Sequence, residues 1–127
     1  MKNLKPVLAS AIILISLFSC GQAKETTVKS TSSVASAKKN FKQDVEKDSI
    51  NIYLQGGIVS VITKEDHLFE EKYGVKYHDL GCIVPENKEY YEFYNHQVFM
   101  YLSLKFGNSW KNEFNPNAFG WNNTAKF

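Results

Sequence analysis

The sequence predicts a small α+β domain of two layers, with two or three short strands, one short helix and one long aromatic-rich helix. Three observations lead to this fold class. Apolar side chains alternate from Ile50 to Leu54, which is the period of a half-buried strand. Helix-capping residues bracket residues 64–73. Finally, the stretch Glu89–Phe106 carries apolar side chains around most of a helical circumference.

The long helix is the predicted centre of the domain. Its only polar strip consists of Glu92, His96 and Ser103. A helix this apolar must be covered on most sides, either by its own domain or by a partner. Asn87 is a possible N-cap and Gly107 a possible C-cap. A homodimer is one way in which the remaining apolar surface could be covered.

The short helix is predicted from its two ends. Thr63 is suited to the N-cap, Asp66 lies in the first turn, and Gly74 can end the helix in a left-handed conformation. The predicted inward face consists of Leu68, Phe69 and Tyr73. His67 is expected to face solvent.

Two further segments have β-rich composition. Gln55-Gly56-Gly57 interrupts the first strand, and Ile58–Ile62 resumes it, so the sequence favours either a tight hairpin or one strand broken by a bulge. Val75–Val84 is a second strand region that ends at Pro85.

The N-terminus has the features of an export signal. Lys2 and Lys5 form a short cationic start, and the apolar run 7–18 is too short for a bilayer span but fits a signal-peptide core. Leu17-Phe18-Ser19-Cys20 resembles the lipobox of bacterial lipoproteins. This resemblance implies a signal peptide over residues 1–19, acylation of Cys20, for example by palmitate, and an anchor in a membrane of the cell envelope, with the outer membrane the expected one. The alternative is an ordinary secretory peptide with a chance cysteine at its end.

Residues 20–48 are predicted to form the lipidated cysteine and a flexible tether, and residues 49–127 the globular domain. The segment is rich in Ser, Thr, Ala and Lys, and Phe41 is its only aromatic residue. Such a composition buries too little apolar surface to offset the entropy of ordering.

A second resemblance covers roughly residues 55–115. The motifs that carry it are Phe69-Glu70-Glu71-Lys72-Tyr73-Gly74-Val75, Gly81-Cys82, Tyr94-Asn95, Tyr101-Leu102, Lys105-Phe106-Gly107 and Trp110-Lys111. Together they resemble the small bacterial proteins called FEKKY-domain proteins, although Glu71 stands where that family has Lys. The family has no assigned activity, so the resemblance implies a domain and a bacterial envelope setting.

Charge and composition argue against nucleic acid as a partner. All 15 basic residues are Lys and none is Arg, which removes the side chain best suited to bidentate recognition of phosphates and bases. Without Lys2 and Lys5, 13 Lys balance 13 Asp plus Glu.

No catalytic or metal motif is recognisable, and no cofactor is expected. Once Cys20 is lipidated, Cys82 is the only thiol. Because His78 lies four residues from Cys82, the two would be roughly 13 Å apart on one strand, too far for a catalytic pair. A buried structural thiol is therefore the favoured interpretation of Cys82. The three His residues and Cys82 also lack the paired spacing of a zinc site.

The tail offers the only candidate binding residues, Trp110, Phe119 and Trp121. Aromatic side chains among asparagines could stack on a sugar or a peptide. The favoured alternative is that they fold back onto the long helix, because so small a domain has little other core. The expected function is therefore that of an envelope interaction module that binds a protein or a glycan. The alternative is a small enzyme or ligand carrier that uses Cys82 or a cleft that the sequence does not reveal.

Overall fold

The computed structural model describes residues 25–122, with side chains from residue 30 onward. The elements are α1 (Glu25–Glu46), β1 (Ile50–Leu54), α2 (Lys64–Tyr73), β2 (Val75–Asp79) and α3 (Lys88–Phe106), followed by a 3-10 turn at Ser109–Asn112. Helices pack on a small sheet, so the α+β fold class is confirmed. None of the described helices is long and apolar enough to cross a bilayer.

The two strands are parallel neighbours, with Ile50 opposite Val75 and Leu54 opposite Asp79. Parallel strands need a crossover connection, and α2 supplies it. The prediction of a hairpin or a bulge around Gly56-Gly57 is therefore wrong, because residues 55–62 form the loop that leads from β1 into α2. The second strand is also shorter than predicted and ends at Asp79.

Helix α2 confirms the capping prediction. The Thr63 hydroxyl accepts a hydrogen bond from the Asp66 N–H, and the Asp66 carboxylate accepts one from the Thr63 N–H. Gly74 ends the helix at φ 68°. Phe69 and Tyr73 are buried as predicted, whereas Leu68 is 58 % exposed. The buried positions of α2 are spaced by three and four residues from Asp66, which leaves Leu68 outside the stripe.

Helix α3 is the centre of the core. Its side chains Tyr94, Asn95, Val98 and Leu102 have no exposed surface. The β1 side chains Ile52 and Leu54 belong to the same cluster of buried residues and are equally inaccessible. Asn87 and Gly107 flank the helix, although the Asn87 side chain makes no capping hydrogen bond.

Helix α1 replaces most of the predicted tether, so the expected domain boundary at residue 49 is wrong. Ala37 is fully buried, and the Phe41 ring packs edge-on against Tyr94 and Tyr101 of α3. The contacts advance in the same direction along both helices, since Asn40 bonds to Tyr90 and Asp44 to Tyr94. Helix α1 thus packs alongside α3 as part of the folded unit. The predicted signal peptide (residues 1–19), Cys20 and residues 123–127 lie outside the described residues.

Candidate functional site

The sheet has one buried face and one partly exposed face. Ile50, Ile52 and Leu54 point to the core, and the alternate residues of each strand point the other way. The register places Asn51 beside Lys76 and Tyr53 beside His78 on this second face. Tyr91 of α3 adjoins it. We call the surface formed by Asn51, Tyr53, Lys76, His78 and Tyr91 the tyrosine face.

Aromatic rings form a continuous row across the tyrosine face. The Tyr53 ring centroid lies 5.9 Å from that of His78 and 4.8 Å from that of Tyr91. His78 is exposed, and the two tyrosines are partly exposed. Half-exposed rings with polar tips suit contact with a sugar ring or an extended peptide, because one surface of the ring is apolar and its edge can form hydrogen bonds.

A polar network fixes the orientation of the His78 ring. Its Nε2 lies 2.7 Å from Asn51 Oδ1. Because an amide oxygen only accepts, Nε2 is assigned as the protonated nitrogen. The Asn51 amide nitrogen in turn donates to Asp44 Oδ2 at 3.3 Å, and the Tyr94 hydroxyl donates to the same oxygen at 2.5 Å. The Asp44 carboxylate of α1 therefore helps to hold Asn51 in position, and Asn51 in turn holds the His78 ring.

The phenols of Tyr53 and Tyr94 remain protonated at neutral pH. Burial, reinforced by nearby Tyr90 and Asp44, raises the pKa of Tyr53 to about 12. Burial and the hydrogen bond to Asp44 raise the pKa of Tyr94 as well. A protonated Tyr53 can donate a hydrogen bond to a ligand, but it cannot act as a base near neutral pH.

Asn95 closes the outer edge of β1 and was not predicted as an important residue. Its Oδ1 accepts from the Tyr53 N–H at 2.9 Å, and its Nδ2 donates to the Tyr53 carbonyl at 2.8 Å and the Phe119 carbonyl at 3.0 Å. The side chain thus supplies the bonds that a neighbouring strand would supply. An asparagine within an otherwise apolar helix is the sequence signal for such a role, since a buried amide needs partners.

The three predicted tail residues do not form a binding surface. Trp110 is fully buried and Phe119 is 3 % exposed, while Trp121 is partly buried against the rings of Phe99 and Phe114. The structure shows the fold-back alternative. Asn115 ties this tail to α2, because its Nδ2 donates to Asp66 Oδ2 at 3.0 Å.

Cys82 is exposed, which corrects the expectation of a buried thiol. The reason is the early end of β2: the Asp79 carboxylate accepts from the Gly81 N–H at 2.8 Å and turns the chain away from the sheet. This bond is the main cause of the lowered pKa of Asp79. The Cys82 thiol makes no hydrogen bond with any described residue, so no group that would activate it as a nucleophile contacts it.

The other candidate residues lie apart from one another. His67 is exposed and contacts Glu70 within α2, with Nδ1 and Oε2 2.8 Å apart. Burial lowers the pKa of His96. Within residues 25–122, no three His, Cys, Asp or Glu side chains converge on a point that could hold a metal ion.

Comparisons of the chain with protein-family models, with curated proteins and with solved structures return no match.

Proposed function

We propose that this chain is a bacterial lipoprotein, acylated at Cys20 and held at a membrane of the cell envelope, whose domain binds an envelope glycan or protein through the tyrosine face. The observation that carries the binding role is the row of exposed and partly exposed rings His78, Tyr53 and Tyr91, which runs from β2 across β1 to α3. The anchor is supported by the cationic start, the short apolar run and the cysteine that follows it.

The chemistry of the tyrosine face favours binding over catalysis. Its rings offer stacking surface, its Asn51 and His78 side chains offer polar edges, and Lys76 offers a positive charge at the periphery. Tyr53 keeps its phenolic proton at neutral pH because burial raises its pKa, and the exposed thiol of Cys82 lies outside this surface. A binding module held at a membrane needs stacking surface and polar groups, and it does not need a nucleophile.

The anchor is tested by labelling the protein in a bacterial host with a radioactive or clickable fatty acid. Wild type and the Cys82→Ala variant should incorporate the label, and the Cys20→Ala variant should not. The Cys82→Ala variant is the matched control because it removes the only other cysteine. Label retained in Cys20→Ala would contradict the anchor.

The binding role is tested by photocrosslinking in intact cells. A photoreactive residue replaces Lys76, which is exposed on the tyrosine face, or Lys111, which is exposed on the 3-10 turn. Position 76 should give a discrete product containing either a glycan or a protein, and position 111 should not. The His78→Ala, Asn51→Ala double variant should weaken that product several-fold, because it removes both polar edges. Equal crosslinking from the two positions would contradict a role for this face.

A further inference from the structure

Four large aliphatic side chains are exposed on the two loops that follow the C-terminal ends of β1 and β2. Ile58 is 98 % and Val59 79 % exposed on the first loop, and Ile83 is 80 % and Val84 52 % exposed on the second. We call these four residues the apolar rim. Water-exposed aliphatic groups gathered at one end of a small domain indicate a surface that is buried against something else.

The two loops of the apolar rim are bonded to each other. The Gly56 N–H donates to the Gly81 carbonyl at 3.0 Å, and the Asp79 carboxylate accepts from the Val61 N–H at 3.1 Å. A Cβ at Gly56 would lie 1.8 Å from Asp79 Oδ1, so a larger residue there would displace the Asp79 carboxylate. The hydrogen bonds hold the bases of the two loops together at one end of the sheet.

The chain enters the described domain at the same end. Helix α3 begins at Lys88, four residues after Val84, so its N-terminus adjoins the apolar rim. Ser30 and Ser33 of α1 line a cleft together with Glu86 and Glu89 at the start of α3. Because α1 runs parallel to α3, the beginning of α1 points toward the rim end of the molecule and its other end leads into β1.

Cys20 lies five positions before Glu25, where α1 begins. Five residues can span at most about 18 Å. A lipid on Cys20 would therefore hold the bilayer close to the end of the domain that carries the apolar rim. A tether of the length expected from the sequence would have imposed no such restriction.

We propose that the apolar rim inserts into the interfacial layer of the same bilayer that holds Cys20, so that the domain docks on its membrane in one orientation. This inference rests on the proposed lipid anchor. Anchoring makes insertion an intramolecular step, so four aliphatic side chains suffice even where they would bind a vesicle weakly on their own. The strands are then steeply inclined to the membrane plane. The tyrosine face is directed along the membrane, where a partner can reach it.

Charged residues close in sequence to the apolar rim are of both signs: Glu86, Lys88 and Glu89 follow Val84, and Lys64 and Glu65 follow the first loop. Docking should therefore depend on apolar insertion, with little response to salt or to the fraction of anionic lipid. This separates it from the binding of a basic patch to a charged membrane.

Cys82 provides a built-in probe, because it is exposed next to Ile83 and is the only free thiol once Cys20 is acylated. The full acylated protein is reconstituted into vesicles of phosphatidylethanolamine and phosphatidylglycerol, and Cys82 is labelled with an environment-sensitive fluorophore. Lipids that carry a shallow quencher should remove roughly half of its emission, as expected for a group seated at the interface. In a Cys82→Ser, Ser109→Cys protein the label sits beyond the far end of α3 and should remain unquenched.

Paired variants test the apolar rim itself. The Ile58→Ser, Ile83→Ser protein should lose quenching at Cys82 while it stays in the membrane fraction. Both side chains are exposed, so the folded core is unaffected. The matched control is Leu104→Ser, which changes an 85 % exposed aliphatic residue near the opposite end of α3 and should leave quenching intact.

The outcomes separate the two proposals. If Cys20 carries no lipid, the proposed function fails and the docking proposal fails with it. If Cys20 is acylated but the Cys82 label is quenched no more than the Ser109→Cys label, only the docking proposal fails. Efficient linkage of two copies through Cys82 by a short bismaleimide would show that a second copy covers the rim, and would also overturn docking.

Discussion

Helices α1 and α3 lie side by side in the same direction, yet different chemistry holds each in place. Helix α3 buries large apolar groups such as Val98, Phe99 and Leu102. The buried and half-buried stripe of α1 is largely small or polar: Ser30, Ser33, Val34, Ala37, Asn40, Phe41, Asp44 and Val45. The comparison teaches that a helix can join a core through a few apolar contacts when its polar residues have bonded partners on the neighbouring helix.

The largest expected effect is loss of the fold at alkaline pH. The folded-state pKa values of Tyr94 and Tyr53 lie above the unfolded value of about 10. The contribution of these two phenols to the free energy of unfolding is therefore complete below about pH 10. It is lost as the pH rises through their folded-state pKa values, about 12 for Tyr53. Circular dichroism should show unfolding in this window, and the part of the tyrosinate absorbance that Tyr94→Phe removes should appear in the same transition. If that part appeared near pH 10 while the protein stayed folded, burial would not protect Tyr94.

Removing apolar volume from α3 should be the most damaging single substitution. Leu102→Ala leaves a cavity at a fully buried position and should lower the free energy of unfolding by about 2–5 kcal/mol. Urea denaturation measures the change. Leu104→Ala, at an exposed position of the same helix, is the control and should change it by less than about 0.5 kcal/mol.

The hydrogen bond between Asp44 of α1 and Tyr94 of α3 should have the next largest effect on stability. In a double-mutant cycle of Asp44→Ala and Tyr94→Phe, the coupling free energy should be about 1.5–3 kcal/mol, because the hydrogen bond has a charged acceptor and is partly buried. Urea denaturation of the wild type, the two single variants and the double variant supplies the four free energies of unfolding that the cycle needs. Strict additivity of the two substitutions would mean that α1 is held by its apolar contacts alone.

Phe41→Ala should cost about 1–2 kcal/mol, less than Leu102→Ala, because the Phe41 ring is only partly buried. Hydrogen exchange of α1 amides should rise more than that of α3 amides in this variant. If α1 were a tether with chance contacts, the substitution would leave both the stability and the exchange pattern unchanged.

The smallest effect concerns the end of α1. Asp48 adopts a left-handed conformation at φ 51°, where α2 has Gly74 at φ 68°. Asp48→Gly should therefore stabilise the domain by about 0.5 kcal/mol, whereas Gly74→Ala should destabilise it by about 1 kcal/mol. Thermal melts of the two variants should shift in opposite directions.

The sequence signals were strongest where local chemistry determines structure. Alternation identified β1, the Thr63 and Gly74 caps identified α2, and the aromatic run identified α3. Helix α1 escaped prediction because its packed stripe contains Ser, Asn and Asp in place of aliphatic residues, and because Asp48 ends it where a glycine would have signalled a stop. Tertiary bonds to Tyr90 and Tyr94, distant in sequence, supply what its composition lacks.

The candidate site was harder to predict than the fold. Alternation placed Tyr53 on the outer side of its strand and the apolar run placed Tyr91 in the long helix, but only the parallel register with β2 places His78 beside Tyr53. Trp110 and Phe119 were candidate ligand-binding residues, but the favoured interpretation, that they complete an undersized core, is the one that the structure shows. Assigning an aromatic residue to a surface or to a core requires knowing which elements meet, and that information lies in contacts between distant parts of the chain.

The amide of Asn95 has a consequence for the behaviour of the protein at high local concentration. A two-stranded sheet exposes two edges, and each is a template for joining sheets of different molecules. Asn95 and the backbone around Phe119 occupy the outer edge of β1, and Glu70 Oε1 accepts the Tyr77 N–H of β2 at 2.7 Å. Copies at high local concentration would then meet edges at which the Tyr53 backbone and the Tyr77 N–H are already engaged, which opposes aggregation by strand addition.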